Sequence, residues 1–163
     1  TARSERGGMT NAKTGGRAKP DKIMQTKYGK GNGNCAQACV AGLLNMNLED
    51  VPDFASASGI EWWDSLYGWC IENSYGLILL DANTKHLITN TFGIGVCKIK
   101  ESDDETHAVI LQYSLDQKGE QWTYKAELYH DPNPKGMTIL EVTHHIFIIP
   151  IAEKHRREGK DER

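Results

Sequence analysis

Apolar and polar positions divide the chain into a helical first half and a strand-rich second half. In Cys35-Ala-Gln-Ala-Cys-Val-Ala-Gly-Leu-Leu44, the residues Ala38, Val40, Ala41, Leu43 and Leu44 share an apolar helical stripe. Asn34 stands where a side chain caps such a helix. Leu48-Glu-Asp-Val-Pro-Asp-Phe54 reads as a short turn anchored by Val51 and Phe54. A second helix is expected within Ile60–Ile71, where Trp62, Trp63, Leu66, Trp69 and Cys70 recur at intervals of three and four residues. From Leu77 onward the pattern becomes β-rich, with strands expected at Leu77–Leu80, Phe92–Lys100, His107–Ser114, Trp122–His130 and Ile139–Ile149. Turn-rich pieces at Asp116-Gln-Lys-Gly119 and Asp131-Pro-Asn-Pro-Lys-Gly136 separate them. The order predicts an α+β fold in which N-terminal helices pack on a mostly antiparallel sheet.

The ends lack this pattern. In residues 1–22 Met9 is the only large apolar side chain, and glycines mix with scattered Arg and Lys, so the segment reads as a flexible basic tail. Residues 153–163, EKHRREGKDER, mix both charge signs without an apolar side chain and read as a charged C-terminal tail. A single domain at 23–152 remains, in keeping with a chain of 163 residues. The net charge of -3 provides no electrostatic footprint for nucleic acid. No apolar run approaches the ~20 residues of a membrane span, and the N-terminus has no hydrophobic signal segment. A soluble protein of the cytoplasm is expected. The four cysteines, at 35, 39, 70 and 97, lack the spacing of a disulfide framework or a zinc site and read as reduced thiols.

Cys35 falls where the glycine-rich Gly29-Lys-Gly-Asn-Gly-Asn34 enters a helix, and unpaired N–H groups and the helix dipole at such a junction favour a thiolate. His107 opens an apolar strand directly after the acidic stretch Glu101-Ser-Asp-Asp-Glu-Thr106, a position from which its ring reaches the helix start as a base. Asp131 follows the next strand and begins a Pro-punctuated turn, where a carboxylate can orient the imidazole. Each residue also has a plain structural explanation: an inert core thiol, a partly buried strand residue and a turn former. The order Cys, His, Asp in these local contexts favours an acyl-transfer site. His144-His145 is a weak metal candidate, since adjacent strand residues point to opposite faces. The glycine-rich stretch lacks the Gly-Lys-Ser/Thr ending of a phosphate-binding loop and reads as a rim around Cys35. Trp62, Trp63 and Trp69 favour packing over a ligand cleft.

Gly33-Asn-Cys-Ala-Gln-Ala-Cys-Val-Ala-Gly-Leu-Leu44, Leu48–Phe54, His107-Ala-Val and His130-Asp-Pro-Asn-Pro134 together resemble small papain-like cysteine peptidase-fold proteins of bacteria and their phages, including the bacteriocin-processing branch. The likeness covers roughly residues 23–150. It implies that Cys35 attacks a carbonyl or isopeptide carbon, that His107 moves the proton, and that Asp131 orients His107. It also implies an oxyanion hole built from the Cys35 N–H and Gln25, with Asn32, Asn34 and Gln37 as alternative donors. The expected activity is a thiol hydrolase that cleaves a peptide, isopeptide or other amide of a protein or peptide substrate through an acyl-enzyme, with no cofactor and no metal. The same triad serves deamidation or acyl transfer, and a catalytically lapsed binding protein acting on a host or partner protein is the alternative.

Overall fold

The computed structural model describes residues 18–29, 31–56, 61–84 and 88–151. The expected C-terminal tail and all but the last residues of the expected N-terminal tail lie outside this set. Helix α1 spans Cys35–Leu44 and helix α2 spans Trp62–Glu72, with short 3-10 turns at Leu48–Asp50 and Phe54–Ser56 between them. Five strands follow: β1 (Tyr75–Asp81), β2 (Thr91–Ile99), β3 (Ser102–Lys118), β4 (Gln121–His130) and β5 (Ile139–Pro150). They form one sheet in the order β1-β5-β2-β3-β4, and every neighbouring pair is antiparallel. The architecture is therefore α+β. Among the described residues no helix is long and apolar enough to cross a membrane.

Both helices contribute to one core. Cys39, Val40 and Ala41 of α1 and Leu66 and Cys70 of α2 pack with Ile94, Val96, Ala108, Ile110, Ile146 and Ile148 of the sheet. Fully burying each branched side chain contributes about 1.5–3 kcal/mol. A second cluster holds Cys97, Val109, Leu111, Tyr113 and Phe147, and within it Tyr113 Oη is hydrogen-bonded to His145 Nδ1 at 2.8 Å. The alternation of β3 residues between the two clusters follows from the two-residue period of a strand.

The path of β3 is what positions the site. Its first half pairs with β2, from Ile99↔Ser102 to Thr91↔Tyr113, whereas its pairing with β4 begins only at Ile110↔His130. The β3 backbone before Ile110 therefore has no β4 partner. The N-terminus of α1 lies against it, and the Ala108 N–H donates to Cys35 Sγ at 3.4 Å. The strand also starts earlier than the expected His107: after Lys98↔Thr106 the register shifts and Ile99 pairs with Ser102, so the strand reaches back past Asp103, Asp104 and Glu105, which stand unpaired in the β2 register.

The chain is docked onto the domain before residue 23. The Asp21 N–H donates to Gly42 O and to Asn45 Oδ1, each at 3.0 Å, and Tyr129 Oη donates to Pro20 O. Lys22 Nζ lies 5.1 Å from the centre of the Tyr129 ring. Glycine is required at position 42 for this docking, since a Cβ there would lie 2.5 Å from Asp21 O. The expected tail thus ends before Pro20, and residues 20–22 belong to the packed domain.

Candidate active site

Three of the expected residues meet at the uncovered edge of β3. Cys35 is the first residue of α1 and is partly buried. Asp131 directly follows His130, whose pairing with Ile110 brings the end of β4 beside the His107 segment of β3. The His107 Nε2–H donates to Asp131 Oδ1 at 2.7 Å. This leaves Nδ1 for the Cys35 sulfur, the ring's second hydrogen-bond partner. Asp131 is itself fixed by its turn: the Asn133 N–H donates to Oδ1 at 2.9 Å and the Met137 N–H to Oδ2 at 2.8 Å. Three donors thus hold one carboxylate in place.

The charges follow from these partners. Burial works against a charged His107, but hydrogen bonds to Asp131 and Cys35 and the electrostatic attraction of both groups outweigh it and raise the imidazole from 6.5 to about 9. Burial likewise opposes ionisation of Asp131, yet the His107 N–H, the two backbone N–H groups and the imidazolium charge hold it below its ordinary value. An imidazolium flanked by a carboxylate and a sulfur is the resting arrangement near neutral pH.

Asn34 occupies the N-cap position, but its side chain makes no cap hydrogen bond. Its Oδ1 instead accepts from the Thr26 and Lys27 N–H groups, both at 2.9 Å, and its Nδ2 donates to Thr26 Oγ1 and to Gln37 Oε1. The Gln37 Nε2 donates in turn to Leu48 O and Val51 O. The expected cap is thus a buried bracket that ties the preceding segment and the Leu48–Phe54 turn to the start of α1. These commitments remove Asn34 and Gln37 as oxyanion donors.

Gln25 is buried (5% exposed) and lines the groove that also exposes Cys35 and His107. Its N–H donates to Pro132 O, and one Nε2 hydrogen goes to Lys27 O at 3.0 Å. The backbone of Gln25 is therefore bound to the Asp131 turn, and its amide retains a second hydrogen. His130 of the same motif donates from Nε2 to Ile23 O at 2.8 Å, a structural tie. The groove has a volume of about 290 Å³, and its wall includes Gly29, Gly31 and Gly33, so the glycine-rich stretch is a rim as expected. Gly29 and Gly31 have φ of 97° and 69°, a region where a Cβ is strained. The Gly31 N–H donates to Glu105 Oε1 at 3.0 Å, which fastens this rim to β3.

The tryptophans divide. Trp63 and Trp69 pack on the core, with Trp69 stacked on Tyr75 and edge-on to Phe54, whereas Trp62 both touches the core and lines the groove. His144 lies against the Trp63 ring while His145 bonds Tyr113 in the second cluster, so the two imidazoles serve different environments. All four cysteines are free thiols. Sequence reasoning did not find the Ala108, Asn133 and Met137 N–H groups, because any residue type supplies a backbone donor.

No protein-family profile, curated protein or solved structure matches this chain.

Proposed function

We propose that this protein is a papain-like thiol hydrolase that cleaves a peptide, isopeptide or other amide bond through an acyl-enzyme. The observation that carries the reading is the single linked line of Cys35, His107 and Asp131 opening on a groove. A structural histidine–aspartate pair has no need of a thiol on the other ring nitrogen.

In the reaction Cys35 Sγ, with Ala108 N–H and the His107 imidazolium as donors, attacks the carbonyl carbon. The carbonyl electrons move to oxygen. This oxyanion is received by the Cys35 N–H, which has no hydrogen-bond partner among the described residues, and by the second Nε2 hydrogen of Gln25. As the intermediate collapses, the C–N bond breaks and the imidazolium gives its proton to the departing amine, leaving a thioester and a neutral imidazole. The imidazole then takes a proton from water, whose oxygen attacks the thioester. Collapse expels the thiolate and the carboxylic acid and restores the imidazolium. Asp131 stays ionised throughout, orienting the ring and stabilising its cation.

An activated ester tests the cycle without knowledge of the natural substrate. With p-nitrophenyl acetate, the protein is expected to release a burst of p-nitrophenolate stoichiometric with protein, to carry acetyl on Cys35 by peptide mass mapping, and to turn over. Acetyl spread over several nucleophiles, or absent from Cys35, would overturn the reading.

A further inference from the structure

The groove that holds the thiol has an uneven charge. Its wall includes two carboxylates, Glu61 immediately before α2 and Glu105 on β3, and no lysine or arginine among the described residues. The nearby Lys27 is taken by Asp53, its Nζ lying 2.7 Å from the carboxylate. Glu105 uses Oε1 for the Gly31 N–H, whereas the Glu61 carboxylate has no partner among the described residues. Trp62 and Tyr28 also line the groove and supply ring faces that attract cations. Carboxylates and aromatic side chains together complement a ligand that carries positive charge.

We propose that the groove selects substrates carrying a cationic side chain, of the lysine or arginine type, next to the amide presented to Cys35. This rests on the thiol hydrolase reading and adds the substrate class to it. Glu105 stands two residues before His107 on β3, so a cation held there lies on the groove wall that also carries the imidazole. Glu61 is exposed, so salt screens these attractions.

Methanethiosulfonates that differ only in charge separate the two ideas. The thiolate attacks the sulfenyl sulfur of each reagent, forming a mixed disulfide and expelling methanesulfinate. The reagents are the ethyltrimethylammonium, ethylsulfonate and neutral methyl forms, and the readout is the rate at Cys35 by mass mapping. The cation-to-anion rate ratio is referred to the same ratio for N-acetylcysteine amide. In the parent protein it should exceed that reference by roughly tenfold and shrink as salt is raised. In Glu61→Gln/Glu105→Gln it should fall to near the reference, with each single variant intermediate. Glu105→Gln retains an acceptor for the Gly31 N–H, which keeps the rim in place. A ratio at or below the reference in the parent, or one that ignores both substitutions, overturns the charge preference. If the neutral reagent reacts with Cys35 no faster than with the small thiol, the thiol hydrolase reading fails and the substrate class fails with it. A fast neutral reaction with a flat charge ratio overturns the preference alone.

Discussion

Cys35 and Cys39 are four residues apart on one helix, so they share a helix face and differ by a single turn. Cys35 sits at the open end of α1, where its sulfur meets the Ala108 N–H and the His107 ring. Cys39 is fully enclosed in the core, and burial pushes its thiol well above the ordinary range, with electrostatic repulsion from the Cys35 and Asp131 side chains adding to the effect. Cys70 and Cys97 behave like Cys39, raised by burial to about 11 and about 12. On the proposed reading, reactivity in this fold is a matter of where the helix begins. The uncovered edge of β3 admits the helix mouth, and one turn further in the same side chain becomes packing material.

The largest effect in this comparison is expected from Cys35→Ala, which removes the nucleophile and should abolish acetyl turnover with p-nitrophenyl acetate, a fall of at least ~10³-fold. His107→Ala, measured in the same assay, is expected to cost on the order of 10²–10³-fold, since it removes both the proton carrier and the cation beside the sulfur. Asp131→Asn retains an oxygen for His107 but loses its charge, and a drop of about tenfold is expected. The same variant tests the pH dependence. In the parent the imidazolium proposed to protonate the leaving group is lost as pH rises through about 9, so turnover of an amide is expected to fall above that value. Without the Asp131 charge this alkaline limb moves down toward the ordinary histidine value, and a profile that stays in place would contradict the assigned cause. Cys39→Ala should leave the reaction within a few-fold of the parent while lowering stability by about 1–2 kcal/mol in urea unfolding, the cost of a small core void. If Cys39→Ala instead matched Cys35→Ala in turnover, the contrast between the two thiols would collapse.

Much of this was legible in the sequence because local pattern and tertiary demand agree. The three-and-four spacing of Trp62, Leu66, Trp69 and Cys70 gave α2 within a residue or two, and the apolar runs located all five strands. The approach of Cys35, His107 and Asp131 was expected from their order and from the elements they terminate. The start of β3 was not. Nothing local in Ser102-Asp-Asp-Glu-Thr106 favours a strand, and β2 pairs only its two ends, Thr106 with Lys98 and Ser102 with Ile99. Asn34 shows a different limit: the residue that fits a cap also fits a bracket, and the choice depends on Thr26, Lys27 and Gln37 arriving together in space. The docking of Pro20 and Asp21 was hidden as well, because it uses backbone groups and the bare Cα of Gly42 rather than apolar side chains.

Iodoacetamide labelling of the native protein at neutral pH, resolved by mass spectrometry over the four cysteines and repeated with His107→Ala, tests the central claim most directly. The paired site predicts that Cys35 is alkylated at least ~tenfold faster than Cys39, Cys70 and Cys97 and that most of this advantage disappears without His107. A Cys35 that reacts at the pace of the buried thiols, or one whose rate is indifferent to His107, would contradict it.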